Sequence, residues 1–262
     1  MDRLFVSGTV NAAVSGEGRP LFLFHSLLSD RASFDRITPQ LARSHRVIVP
    51  ELPGFGGSKV VDGGLAAVAD RMADVVRDAG QQEPIVLGNG YGGFVALQMA
   101  IRHPDIAAKL VLADCGATFS ESGREAFRNM AAAAKAKGIA AITDVAMRRL
   151  FAPEFQTAHP DLMRDRREAF LKTDPHVLQS ACAQLAELDL RGELSKVIVP
   201  VLVLVGEHDE ATPPAMSREL AALLPNAQLK IVSGCAHVPQ LQAPEVFLEA
   251  IGGFLKSAHA VA

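Results

Sequence analysis

The stretch Val86-Leu87-Gly88-Asn89-Gly90-Tyr91-Gly92-Gly93-Phe94 governs how the rest of the chain is read. An apolar strand runs into a glycine-rich turn, and a helix follows. Glycines at Gly88 and Gly92 suit a strand-to-helix turn so tight that side chains would clash there. On its own the stretch also fits a plain glycine-rich turn or a weak phosphate loop. Working outward, short Val/Ile/Leu-rich runs recur at Leu21–Phe24, Val47–Val49, Leu110–Ala113 and Val201–Val205, beside Ile85–Leu87 itself. Continuous apolar runs of this length suit strands covered on both faces. Between Leu65 and Ala79, Leu65, Val68, Met72, Val75 and Val76 share one helical face, with Asp70, Arg71, Asp74 and Arg77 largely opposite. Strands alternating with such helices imply right-handed βαβ units and a parallel sheet. The opening Phe5–Val14 reads as an antiparallel lead-in hairpin.

The alternation stops between about Ser120 and Arg191, a stretch rich in Ala, Arg and Glu without a convincing strand. Asp174-Pro175 reads as an N-cap and first helical residue before His176–Leu188. The expected division is a core of residues 1–119 and 192–262 with a helical cap at 120–191. An insertion late in an α/β chain sits over the carboxyl ends of the strands, where ligands bind.

Composition narrows the class of partner. Of 262 residues, 49% are hydrophobic and 21% charged, which supports a large core and argues against disorder. A net charge of −3, from 26 basic and 29 acidic residues, leaves no footprint for nucleic acid or an anionic membrane. Three scattered cysteines, Cys115, Cys182 and Cys235, read as free thiols in a reducing compartment. Met1–Val10 has no basic region leading into a long apolar run, and no stretch reaches the roughly 20 apolar residues of a membrane helix. The expectation is a cytoplasmic monomer or homodimer that meets a small molecule rather than nucleic acid or a membrane. No motif implies a cofactor, and no His/Cys/Asp spacing resembles a zinc site.

Four further segments follow strands in order. They are Phe24-His25-Ser26-Leu27-Leu28-Ser29-Asp30, Glu51-Leu52-Pro53-Gly54-Phe55-Gly56-Gly57-Ser58, Gly206-Glu207-His208-Asp209-Glu210-Ala211-Thr212-Pro213 and Ser233-Gly234-Cys235-Ala236-His237. Taken with Gly88–Gly92, they resemble the α/β-hydrolase superfamily over nearly the whole chain. The resemblance implies a mostly parallel eight-stranded sheet with helices on both faces and a helical cap. It matches Gly88–Gly92 to the nucleophile elbow G-x-S-x-G, and the order nucleophile, acid, histidine is the one this fold uses. It makes Asp209 the triad acid and His237 the general base. The backbone N–H groups of Leu27 and Tyr91 become the oxyanion hole. Glu51 stands where the usual loop has Asp, in a structural role.

Within the superfamily the chain is similar to the 3-oxoadipate enol-lactonases of aromatic-acid degradation. The likeness lies in His25-Ser26-Leu27, in Lys137–Ile142, Phe151–Phe155 and Ala181-Cys182-Ala183, and in Asp189-Leu190-Arg191. Such enzymes open a lactone by serine attack, and His25, Ser26 and residues of the cap would contact substrate. Gly90, which stands at the nucleophile position, departs from the pattern at the one residue that attacks.

Rival readings bear on each of these residues. Asp209 could merely cap the helix beginning near Pro213, and Asp114, at another strand end, competes for the acid's place. His237 could be a surface histidine, and His25 and His208 loop-packing residues. Cys115 lies near the rim but has no elbow, so it reads as packing. Of the cap arginines Arg148, Arg149, Arg164, Arg166 and Arg167, most fit a solvated helix face, with one turned inward for a substrate carboxylate. The leading expectation is hydrolysis of a small carboxylate-bearing ester or lactone, impaired by Gly90, whether that glycine is natural or engineered. Two alternatives stand beside it: His/Asp-dependent hydrolysis or lyase-like proton transfer without a covalent step, and a non-catalytic small-molecule-binding protein.

Overall fold

The computed structural model describes residues 1–80 and 83–257. Among the described residues eight strands form one sheet: β1 Asp2–Phe5, β2 Val10–Ser15, β3 Arg19–Phe24, β4 His45–Pro50, β5 Ile85–Asn89, β6 Lys109–Ala113, β7 Val201–Gly206 and β8 Ala227–Val232. Their spatial order is β1-β2-β4-β3-β5-β6-β7-β8. The hairpin β1–β2 and the β2–β4 pair are antiparallel, and every pairing from β4 to β8 is parallel. The α/β fold expected from the alternating pattern is the fold observed, lead-in hairpin included.

Burial on both faces explains the unbroken apolar runs. Leu21, Leu23, Ile85, Leu87, Val111, Leu202 and Leu204 face one layer with Phe247, Ile251 and Phe254 of the helix Pro244–Lys256. Their strand neighbours Phe22, Phe24, Val86, Leu110, Leu112 and Val203 face the other layer, with Met72 and Val76 of Gly64–Asp78 and Val95 and Met99 of Tyr91–Arg102. Each full burial of such a side chain contributes about 1.5–3 kcal/mol, so the sheet is the main source of stability. No helix among the described residues is long and apolar enough to cross a membrane.

From β3 the chain steps outward to β4 and then returns to β5 on the other side of β3. That reversal opens a crevice at the carboxyl ends of β3 and β5, the place where open α/β sheets take ligands. Register puts Phe24 opposite Gly88 there, so the residues after Phe24 and after Asn89 meet.

Between β6 and β7 the chain is helical, in Glu121–Lys137, Thr143–Leu150, Pro153–Ala158, Pro160–Phe170 and Pro175–Ala186. Local chemistry sets the breaks. Ser120 Oγ accepts the Gly123 N–H at 3.3 Å, and Gly138 closes the first helix at φ 78°. Pro153, Pro160 and Pro175 begin the later helices, the last capped by the Asp174 carboxylate at 2.7 Å from His176 N. The two ends of the insertion are joined at its base by an antiparallel bridge between Thr118 and Asp189. There Arg124 donates to Phe119 O at 3.1 Å, Thr118 Oγ1 at 2.9 Å and Leu188 O at 2.9 Å. A second tie runs from Arg166 to Asp30 in the loop after β3, at 2.8 Å.

Candidate active site

The turn after β5 is tight for reasons its glycines make explicit. A Cβ on Gly88 would lie 2.1 Å from Gly92 O, and one on Gly92 would lie 2.1 Å from Phe24 O. Backbone occupies both places, so no side-chain adjustment relieves either. Gly90 itself has φ 54° and ψ −119°, immediately before the helix that starts at Tyr91. Its constraint differs in kind. A Cβ there would lie 2.4 Å from Ser26 Oγ and 2.7 Å from His237 Nε2, so the missing side chain faces two reactive polar groups.

His237 follows β8 in a loop drawn in under β7. It is buried, and its Nδ1 lies 2.8 Å from Asp209 Oδ2. Asp209 Oδ1 accepts the N–H groups of Ala211 at 2.8 Å and Thr212 at 3.0 Å, while Oδ2 also accepts the Thr212 hydroxyl at 2.7 Å. Burial alone would raise this carboxyl, but the adjoining His237 and the Thr212 donors together bring it below the ordinary aspartate value. An ionised Asp209 takes the proton-bearing Nδ1, which leaves Nε2 with its lone pair toward Gly90. The local loop contacts and the histidine contact coexist, so the helix-capping reading and the acid reading of Asp209 describe the same carboxylate.

Asp114, the rival acid, is also buried at a strand end, but it binds Gly206 N and Asn89 Nδ2, each at 2.9 Å. Burial, and then the Asp209 charge, push its carboxyl well above the ordinary value. Asn89 joins this layer to the histidine loop by donating to His237 O at 2.9 Å, and it accepts from Gln240 Nε2 at 3.0 Å. Ligand atoms of Asp114, Asp209 and His237 come within 4.8 Å of one another. Each carboxylate oxygen there already accepts an N–H or O–H.

Ser26 enters the same cluster from β3. Its hydroxyl lies 3.4 Å from His237 Nε2. His25 fixes the loop behind it: its Nδ1 donates to Ser26 O at 3.0 Å and its Nε2 accepts Leu52 N–H at 3.1 Å, with Phe55 edge-on at 4.8 Å. Those two bonds demand a neutral ring, and burial holds His25 below the usual histidine range. His25, expected to touch substrate, therefore has both ring nitrogens committed and does not line the cleft at Gly90. Among the described residues no acceptor takes the N–H of Leu27 or of Tyr91. Tyr91 N belongs to the first turn of a helix, whose N–H groups have no partner within the helix.

The cleft over this cluster is narrow, with a cavity volume of about 30 Å³, room for a water molecule or a small group beside His237. Ser26, Gly90, His237 and Thr212 form its floor, and Leu28, Phe94, Phe119, Phe127 and Leu185 supply apolar walls. Of the arginines on the helices between β6 and β7, Arg149 reaches it. Its guanidinium stands 5.6 Å from the Phe127 ring centroid and makes a long 3.4 Å contact to Ala211 O. Burial lowers its pKa, the mark of a cation short of compensation. By contrast Arg164 pairs with Asp161, Arg166 with Asp30 and Arg167 with Asp144, while Arg148 is exposed. Cys115 is buried against Gly93 with its thiol pushed up by burial, as suits a packing residue. Glu51 braces its loop, accepting from Gly57 N at 2.6 Å and Asn11 Nδ2 at 3.0 Å.

Sequence reasoning brought Gly90, Ser26, Leu27, Tyr91, Asp209 and His237 to one place. It did not single out Thr212, Asn89 or Gln240, nor choose among the arginines. Thr212 lies in the quoted segment three residues after Asp209, a spacing that allows a side chain to return to the carboxylate. Gln240 carries no such signal.

A family model for the alpha/beta hydrolase fold matches residues 19–244. A pimeloyl–acyl-carrier-protein methyl ester esterase of Vibrio cholerae is 29% identical over 248 residues, spanning 90% of this chain and 94% of that protein. Among solved structures, a thermophilic esterase from Thermogutta terrifontis, with malate bound, superposes at a TM-score of 0.87 with 28% identity, covering 99% of this chain and 100% of that one. The enol-lactonase from Burkholderia xenovorans LB400 superposes at 0.89 with 24% identity, covering 95% and 96%, a likeness of fold. The chain is therefore a member of the alpha/beta hydrolase fold family, and it stands among the ester-hydrolysing enzymes of that fold.

Proposed function

We propose that this chain hydrolyses small esters or lactones that carry a second, free carboxylate. The observation that supports it most directly is the buried Asp209–His237 pair, whose free Nε2 faces Gly90 inside a cleft that also holds Arg149. In this reading His237 moves the proton, and Asp209 holds its tautomer and steadies the imidazolium. The N–H groups of Leu27 and Tyr91 receive the developing oxyanion, where fixed donors act without reorganisation. Residues 120–191 act as a cap that excludes water and presents Arg149 to the substrate carboxylate. The apolar walls match in character the carbon chain between the two ends of such a molecule.

The Vibrio protein is named for hydrolysis of a methyl ester, which supports the ester bond, and the malate bound to the Thermogutta esterase, a dicarboxylate, supports the carboxylate. The resemblance of Lys137–Ile142, Phe151–Phe155 and Ala181-Cys182-Ala183 to 3-oxoadipate enol-lactonases favours an enol-lactone as the second candidate for the scissile group. The test compares monomethyl pimelate with dimethyl pimelate, and a carboxylate-bearing enol-lactone with its methyl ester. Wild type should prefer each anionic member by about tenfold or more, since a charge-assisted bond contributes about 1.5–3 kcal/mol. Arg149→Met should erase that preference through KM. Equal kcat/KM for both members of each pair would dismiss the carboxylate requirement. Dicarboxylate binding without any turnover would favour the non-catalytic reading, which the absent side chain at Gly90 keeps in view.

A further inference from the structure

The hydroxyl missing from the β5 turn has a counterpart on the loop after β3. We propose that Ser26 is the nucleophile of this protein, so that the working set is Ser26, His237 and Asp209. The proposal rests on the ester-hydrolysis reading for its substrate, and on the geometry around Gly90 for everything else.

Three observations carry it. A Cβ on Gly90 would lie 2.4 Å from Ser26 Oγ and 3.0 Å from Ser26 Cβ, so the Ser26 side chain occupies the space a side chain at position 90 would enter. Its hydroxyl addresses the nitrogen that Asp209 leaves free, His237 Nε2, at 3.4 Å. Hydrogen bonds between nucleophile and base are often long without substrate and tighten in the complex. Finally, Ser26 is buried and its backbone is fixed by two donors on its carbonyl, His25 Nδ1 at 3.0 Å and Ser29 N at 3.2 Å. A hydroxyl used only for packing would need neither the histidine nor the cleft, and Ser26 lines that cleft beside Gly90.

The glycine is then a requirement of the arrangement. With a Cβ at position 90, the Ser26 hydroxyl or the His237 ring would have to shift from its present place. The step is ordinary acyl transfer. Ser26 Oγ bonds to the ester carbon as its proton passes to His237 Nε2. The carbon–oxygen bond to the leaving alcohol then breaks, and that oxygen takes the proton from His237. Water next attacks the acyl-Ser26 ester, giving a proton to His237. Ser26 leaves with that proton, and the carboxylic acid is released. Leu27, the next residue after Ser26, and Tyr91 offer N–H groups for the oxyanion, as an oxyanion hole can include donors adjacent to the nucleophile.

The experiment treats wild type and Ser26→Ala with a small alkyl fluorophosphonate, maps the adduct by peptide mass spectrometry, and measures p-nitrophenyl acetate turnover and thermal melts on both. The expected result is a phosphonyl group on Ser26 of the wild type, with fluoride released, and none on Ser26→Ala. Turnover by Ser26→Ala should fall at least ~100-fold at a nearly unchanged melting temperature, because loss of a nucleophile can remove ~10⁶ while residual catalysis survives. Turnover that is unaffected by Ser26→Ala, with no adduct or with the adduct on another residue, overturns the proposal and leaves His237 activating water directly, with ester hydrolysis intact. An adduct on Ser26 in a protein that turns over no ester upholds the nucleophile and removes the proposed function. Neither adduct nor turnover rejects both.

Discussion

Asp114 and Asp209 are buried side by side below His237, and each is held in a different charge state by what surrounds it. Asp209 accepts two backbone N–H groups, a hydroxyl and the imidazole; Asp114 accepts one backbone N–H and one amide. Two ionised carboxylates this close and this dry would repel strongly, so one stays neutral. Adjacent strands β6 and β7 deliver both residues to the same level, which is why the sequence offered two acids for one place.

This coupling can be read directly. In wild type the Asp114 carboxyl should titrate above the usual aspartate range, monitored by its side-chain carbon resonance. A raised acid contributes stability that is complete below its unfolded pKa, near 3.8, and that fades as pH rises through the folded value. Asp209→Asn removes the neighbouring charge, so the Asp114 midpoint should move down and the fading should shift to lower pH. The same substitution should cut ester turnover by about 10⁴, as loss of the orienting carboxylate does in a triad. An Asp114 midpoint indifferent to residue 209 would show that burial alone sets it.

Gly88→Ala is expected to be the most damaging methyl addition in the turn. The new Cβ would meet Gly92 O at 2.1 Å, and both partners are backbone in a packed strand-to-helix junction. Overpacking typically costs about 1–3 kcal/mol, and a contact that nothing can yield to should reach or exceed the top of that range. Denaturant unfolding against Gly80→Ala checks it, since a Cβ on Gly80 meets nothing within 4 Å and reports only the left-handed backbone penalty.

Gly90→Ser should place a second hydroxyl beside His237 and raise esterase turnover above wild type, at a measurable loss of melting temperature, since its Cβ must displace Ser26 Oγ and crowd His237 Nε2. Adding Ser26→Ala to it should return part of the lost stability and raise turnover above the single Gly90→Ser variant. The two positions share one volume, so their effects should be non-additive by about 0.5–3 kcal/mol in a double-mutant cycle. Strict additivity in melts and rates would mean that the serines do not compete.

Arg124→Met should loosen the helical insertion without loosening the sheet. Removing a guanidinium that ties Phe119, Thr118 and Leu188 should speed hydrogen exchange in Glu121–Lys137 and Pro175–Ala186, while β5, β6 and β7 keep their protection. KM for the carboxylate-bearing ester should rise more than kcat falls, because Phe127 and Arg149 belong to the loosened part. Uniform acceleration through the central strands would refute this division.

Much of the fold was legible because strands buried on both faces have to be apolar throughout, so β3, β5, β6 and β7 announce themselves. The turn glycines were equally readable, since backbone contacts near 2 Å at Gly88 and Gly92 leave no other residue type possible. Asp209 and His237, singled out by the resemblance and their place after strands, do stand 2.8 Å apart. What the chain did not disclose depends on separations across the fold: Ser26 and His237 are 211 residues apart, and Gln240 meets Asn89 from another element. Arg149 was one of five similar arginines until the helices set which one turned inward. His25 was expected at the substrate and serves instead to pin the loop, a role that only its contacts with Ser26 O and Leu52 N reveal.

The bridge between Thr118 and Asp189, clamped by Arg124, means that the helical insertion leaves and rejoins the core at one spot. Its termini meet whether or not the helices between them are of this particular kind. A segment tethered in this way is an exchangeable module: its length and lining can drift, or be replaced wholesale, without reshaping the platform that carries Ser26, Asp209 and His237. Selectivity and chemistry can then diversify on separate schedules. Grafting a relative's insertion between these two anchor points is the engineering route that such an architecture offers.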